Sequence, residues 1–78
     1  MPYKEHELVV LRSDVPAHGL CAGDIGTVVG VYDGGAYEVE FATPGGDTVA
    51  VLTLAPKEIR PLARREILHA RDLDRLAS

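Results

Sequence analysis

The chain has 78 residues, 46% hydrophobic and 26% charged, which is the composition of one small folded domain and excludes a disordered segment. The formal net charge of −4 argues against wholesale binding of nucleic acid or anionic membranes. Cys21 is the only cysteine, which excludes an intrachain disulfide and fits a reducing compartment. Because no leader pattern or long apolar run is found, we expect a cytoplasmic protein.

The first 62 residues predict a series of short β-strands separated by turns. The strands are expected at residues 7–12, 25–32, 37–41, 48–54 and 59–62, with a single helical turn at 55–58. Glycine-rich turns are expected at 33–36 and 43–47. Residues 13–24 contain Pro16, Gly19 and Gly23 and predict a long loop, from which Leu20 and Cys21 fold back onto the core.

The third predicted strand shows the clearest alternation in the chain. Tyr37, Val39 and Phe41 face one side, and Glu38 and Glu40 face the other. Apolar residues that alternate with charged ones are typical of a strand with one buried face and one solvent-exposed face. Most often such glutamates are simply solvated, and the alternative is an acidic contact surface for a basic partner.

The residues after position 62 have a different pattern. Apolar side chains recur at three- and four-residue steps, with arginines and acids between them and no glycine or proline: Ala63, Ile67, Ala70, Leu73 and Ala77. This spacing predicts an amphipathic helix over 63–78, with Arg71–Asp74 and Asp72–Arg75 as ion pairs. Its arginines, Arg64 among them, either form the wet face or bind an acidic partner. About 15 residues make a marginal helix alone, so it needs a surface to pack on.

Two predicted strands are apolar on both faces, at residues 8–11 and 49–52. A small barrel exposes one face to water, so continuous apolar runs indicate that something covers them. Either the C-terminal helix or a second chain could provide this cover, and the sequence leaves both possibilities open.

No residue pattern indicates catalysis, a metal or a cofactor. His18 and Cys21 have the spacing of half a zinc site, but His6 and His69 are far away in sequence, so we expect a loop histidine and a buried thiol. The glycines precede a strand rather than a helix, so they do not form a phosphate cradle. We therefore expect no enzyme activity, no cofactor and no metal.

Residues 9–62 resemble a known family of small bacterial proteins, DUF4926. The matching features are P-x-H-G-L-x-x-G-D-x-G-T-V-V at 16–29, Y-x-V-E-F at 37–41 and a closing L-x-x-x-x-I-R-P. The resemblance implies an SH3-like barrel of about five strands, related in shape to KOW domains. It also implies that the members are small partner proteins encoded beside toxin-like or other genes, some of them serving as antitoxins. The basic residues of nucleic-acid-binding KOW domains are missing, and the tail lies outside the shared pattern.

The sequence thus predicts a mainly β fold: an SH3-like barrel over residues 1–62 with a C-terminal α-helix over 63–78. The expected function is a non-enzymatic protein-interaction module, whose partner is a toxin-like protein or a second copy bound through the helix. Six residues are the candidate protein-binding set: Glu38, Glu40, Arg64, Ile67, Arg71 and Leu73. The alternatives are a nucleic-acid-binding regulator of KOW type and a structural domain or homodimer of unknown role.

Overall fold

The computed structural model describes residues 3–74, which form one antiparallel sheet of five strands. The order across the sheet is β4-β3-β2-β1-β5. The strands are β1 Leu8–Leu11, β2 Ile25–Val31, β3 Tyr37–Ala42, β4 Thr48–Leu54 and β5 Ile59–Pro61. Two single turns of 3-10 helix, Pro16–His18 and Pro56–Glu58, precede β2 and β5. The predicted mainly β fold and its five strands are confirmed.

The turns form where glycine makes them possible. Gly35 in the β2–β3 turn and Gly46 in the β3–β4 turn have φ of 93° and 95°, a conformation that costs other residues free energy. Gly35 N–H donates to Tyr32 O at 3.0 Å and Gly46 N–H donates to Thr43 O at 3.0 Å. These two closures bring β2, β3 and β4 together as consecutive hairpins.

The hydrophobic core lies on one face of the sheet and receives side chains from all five strands. In β3, Tyr37, Val39 and Phe41 are at most 5% exposed, as the alternation predicts. The other members of the core cluster are Val9, Leu11, Leu20, Val28, Ala50, Leu54 and Ile59. A sheet whose two edges contribute to the same cluster has to curve around it, so the inner face is enclosed and the outer face is left to solvent.

The predicted C-terminal α-helix is wrong, because residues 63–74 contain no helix. Tertiary contacts override the helical pattern. Arg60 donates to both oxygens of Glu66 at 2.8 and 2.7 Å, and Arg71 reaches back to the loop before β2. These anchors hold the segment in an irregular path, which leaves Ile67 95% exposed. The last four positions of the predicted helix, 75–78, lie outside the described residues.

The expectation that Cys21 is buried is also wrong. Leu20 enters the core and is 3% exposed, whereas Cys21 lies in solvent as a free thiol. Cys21 begins a tight turn, in which Asp24 N–H donates to Cys21 O at 3.0 Å and Cys21 N–H donates to Asp24 Oδ2 at 2.8 Å. The turn uses the Cys21 backbone and directs the chain away from the core.

Gly26 allows β2 to lie directly against the core side chains of β3. A Cβ at this position would lie 2.5 Å from Val39 Cγ1 and 2.9 Å from Phe41 Cε1. Val39 is fully buried and Phe41 nearly so, so neither can move aside without repacking the core.

We predict that Gly26→Ala lowers the free energy of unfolding by about 1–3 kcal/mol through overpacking. The control is Gly34→Ala, where a Cβ meets no atom within 4 Å, and this change is expected to be neutral within about 0.5 kcal/mol. Urea denaturation of both variants measures the difference. Equal stability of Gly26→Ala and wild type would show that β2 and β3 are not packed this closely.

Candidate functional site

Two glutamates of β3 lie side by side on the outer face of the sheet. Glu40 pairs with Thr27 of β2 and Val51 of β4, and Glu38 pairs with Gly30 and Thr53. Both glutamates are partly exposed. Because β3 is paired with a strand on each side, the backbone of both glutamates is held in place by the sheet.

Three hydroxyl groups orient the two carboxylates. Thr53 Oγ1 and Tyr32 Oη donate to Glu38 Oε1 at 2.7 and 3.2 Å. Thr48 Oγ1 donates to Glu40 Oε2 at 2.5 Å. Neither glutamate forms an ion pair with any residue between positions 3 and 74. We call Glu38, Glu40 and these three hydroxyl residues the acidic face.

The acidic face has apolar side chains beside it. Leu8, Thr27, Glu40 and Val51 follow one another across four adjacent strands, and the two outer members of this row, Leu8 and Val51, are each 46% exposed. A charged centre with apolar flanks can contribute both electrostatic attraction and apolar burial to a contact with another molecule.

A second feature is the anchor that attaches the C-terminal segment to the loop before β2. The Arg71 guanidinium donates to Asp24 Oδ1 and Oδ2 at 2.8 and 2.6 Å, and to Gly19 O at 2.8 Å. The bidentate hydrogen bonds from Arg71 lower the pKa of Asp24 and raise that of Arg71. This contact joins positions 47 residues apart and holds the segment on the sheet.

Glu66 is paired in the same manner nearer to β5. The hydrogen bonds from Arg60, together with one from the Ala63 N–H at 2.7 Å, lower the pKa of Glu66 to about 2. Asp24 and Glu66 are thus neutralised by arginines of the same chain. The glutamates of the acidic face have no such partner in the described range.

The structure separates the candidate binding residues that the predicted helix would have placed on one face. Arg64 lies in an exposed turn and Ile67 is almost fully in solvent. Arg71 is engaged with Asp24 instead of Asp74, and Leu73 is 44% exposed. Of the predicted set, Glu38 and Glu40 lie side by side on β3, and Arg71 and Leu73 both line one groove at the end of the sheet. The Asp72–Arg75 pair cannot be placed, since Arg75 lies outside the described residues.

A groove of about 580 Å³ lies between residues 69–74 and the end of the sheet. Its apolar wall includes Phe41 and Val49, and Asp24 and Arg71 lie at its side. The ion pair between Asp24 and Arg71 could not be predicted from the sequence, because nothing in local spacing links residues so far apart. The groove exists because that ion pair holds the segment across the sheet end.

The His18–Cys21 pair does not develop into a metal site in the described part of the chain. No three His, Cys, Asp or Glu side chains between residues 3 and 74 lie where they could share an ion. In the same range, no helix has the length and apolar character needed to span a bilayer.

These features define a small, all-antiparallel β protein with an acidic outer face and an anchored C-terminal segment. The profile of the domain of unknown function DUF4926 matches residues 5–61, and the chain belongs to this family. No curated protein matches it, and no solved structure does. The match covers the whole sheet, and the anchored segment follows it.

We predict that Arg71→Gln removes about 0.5–1 kcal/mol of unfolding free energy at pH 7. The folded-state pKa of Asp24 lies below its ordinary value, so this contribution is fully present above about pH 4 and is lost as the pH falls through the lowered pKa. Urea denaturation at several pH values measures the difference between wild type and variant.

The control for this experiment is Arg64→Gln, which removes the same charge from an exposed turn. It is expected to leave the free energy of unfolding unchanged within about 0.5 kcal/mol across the pH range. If Arg71→Gln behaves like Arg64→Gln at pH 7, the anchor does not hold the segment in solution.

Proposed function

We propose that the chain is a non-enzymatic protein-binding module that recognises a basic surface of another protein through its acidic face. The observation that carries this proposal is the pair of hydroxyl-oriented glutamates without a cationic partner in residues 3–74. Arginines of the same chain neutralise Asp24 and Glu66, whereas Glu38 and Glu40 lie on one exposed face and accept hydrogen bonds from hydroxyl groups alone in that range. A basic side chain of a partner is the complementary group for the face that lacks one.

The orientation of the carboxylates supports recognition of a particular partner rather than general charge attraction. Because Glu38 is held from two sides, by Thr53 and Tyr32, little side-chain freedom is lost when a lysine or arginine binds it. Charge complementarity raises the rate of encounter, and the apolar flanks at Leu8 and Val51 add burial that slows release.

The charge distribution favours a protein partner over nucleic acid. Residues 1–62 carry four basic and nine acidic side chains, a net charge of −5, and the glutamates lie on the exposed outer side of that region. Phosphate groups would be repelled there, whereas the basic surface of a protein would be attracted.

A finer proposal is that the partner is a toxin-like protein, which the module neutralises by covering a basic surface. Its support is the resemblance to small proteins encoded beside toxin-like genes, together with the charge of the acidic face. Co-expression with the product of the adjacent gene tests it, with relief of growth arrest as the expected result.

We predict that Glu38→Gln/Glu40→Gln weakens binding to the partner about tenfold at low salt, because two charge-assisted contacts are lost. The partner is recovered with the full-length chain from the source organism and then purified, and affinity is measured by calorimetry. Wild-type affinity should also fall as salt is added.

The matched control is Glu5→Gln/Asp33→Asn, which removes the same two charges from exposed loop positions and is expected to bind like wild type. Equal weakening by both double variants would contradict a role for the acidic face, since net charge alone would then explain the effect. Binding to duplex DNA at low salt that weakens steeply with added salt would favour the nucleic-acid alternative instead.

A further inference from the structure

The two edges of the sheet differ in how well they are protected from pairing with another strand. β5 at one edge has only three residues and ends on Pro61, which lacks a backbone donor. β4 at the other edge has seven residues, among which are no charge, no proline and no glycine. Short length, charge, proline and β-bulges are the usual devices that keep edges apart. β4 is long and has no charge and no proline, and its one irregularity lies opposite Phe41 and Ala42, so that residues 50–54 pair regularly with β3.

The outer face of β4 is apolar, and the free edge of the strand has unpaired backbone groups. Val49 is 37% exposed and Val51 is 46% exposed. Within residues 3–74, β4 has no neighbouring strand except β3 and makes no backbone hydrogen bond outside that ladder. Every second residue of an edge strand directs its N–H and C=O away from the sheet, so β4 presents an unused row of donors and acceptors.

The sequence predicts that both apolar runs, at 8–11 and 49–52, are covered, and the structure buries most of the first run but not the second. In β1, Val9, Val10 and Leu11 are buried, but the β4 run at 49–52 keeps two valines in solvent. The C-terminal segment, the first candidate for this cover, forms no helix. Its residues 69–74 line a groove together with Val49, but they leave Val49 37% and Val51 46% exposed.

We infer that β4 pairs antiparallel with β4 of a second copy of this chain, which joins two sheets into one of ten strands. The sequence of β4, Thr-Val-Ala-Val-Leu-Thr-Leu, is uncharged throughout, so the strand can pair with its own copy about its central residue, Val51, without bringing like charges together. A two-fold axis there places Val51 opposite Val51 of the second copy, Val49 opposite Thr53, and Ala50 opposite Leu52. Every such pair is uncharged, and β-branched pairs favour sheet formation.

The acidic charge of the chain does not prevent this pairing. Glu40 lies one strand inward from Val51, so three strand spacings, about 14 Å, separate it from Glu40 of the second copy. That distance exceeds the Debye length of about 8 Å at physiological ionic strength. The resulting dimer would present two acidic faces on one continuous sheet, which goes beyond the single binding surface proposed above.

The test is the molar mass in solution, measured by light scattering during size-exclusion chromatography over a range of concentrations. Wild type is expected to reach twice the 8.4 kDa monomer mass. Val51→Lys is expected to stay monomeric, because two lysines would face each other at the axis. The matched control is Val31→Lys, at a similarly exposed valine of β2, which should remain dimeric. A wild type that is monomeric at about 1 mM overturns the inference, and so does a dimeric, folded Val51→Lys.

A cross-linking experiment keeps the inference testable if Val51→Lys does not fold. Residues directly opposite each other in antiparallel strands have Cβ atoms about 4.5–5.5 Å apart, close to the spacing that a disulfide needs. In a Cys21→Ala background, Val51→Cys is expected to form a disulfide-linked dimer under mild oxidation, and Val31→Cys is not. Equal cross-linking of both variants would overturn the pairing at β4.

Discussion

The rest of the structure depends on the alternation in β3. Tyr37, Val39 and Phe41 enter the core, and the glutamates between them have to lie on the opposite side of the same strand. Because β3 lies between β2 and β4, its inner side chains pack with those of both neighbours in the core. Its outer glutamates accept hydrogen bonds from two threonines of β4 and from Tyr32, which directly follows β2. A slip of one residue would bury Glu38 and Glu40 and expose the aromatic residues, at a large cost in free energy. The same constraint thus builds the core and displays the acidic face.

The C-terminal segment shows that ion pairs outside the helical spacing can decide conformation where local propensity is weak. Residues 63–74 have the composition of a helix, but a helix of this length gains little free energy by itself. Arg60 and Arg71 instead find carboxylates at Glu66 and Asp24, and the bidentate geometry of both contacts requires a particular path of the chain. The apolar side chains that would have formed one helical face are consequently dispersed, and Ile67 lies in water.

The strands and turns of the sheet could be predicted because alternation and glycine turns are local signals that the tertiary structure preserves. The bounds of β4 were predicted as the structure has them, the glycine turns followed from their φ requirement, and β3 followed from its period of two. The helix was wrong because periodicity ignores distant partners, and Asp24 was missed for the same reason. Cys21 was placed in the core beside Leu20, but a turn stabilised by the Asp24 side chain reverses the chain there. Of the candidate site, only the placement of the β3 glutamates could be predicted, because it follows from the alternation within one strand and does not depend on the conformation of the C-terminal segment.

The most direct test of this account is native-state hydrogen exchange, followed residue by residue. β3 is hydrogen-bonded to a strand on each side. Its amides should therefore exchange only through global unfolding, with an exchange free energy equal to the free energy of unfolding. The amides of residues 67–73 donate no hydrogen bond within the described chain and should exchange nearly as fast as in an unfolded peptide. Helix-like protection in the C-terminal segment, or exchange of Val39 by local opening, would contradict the account.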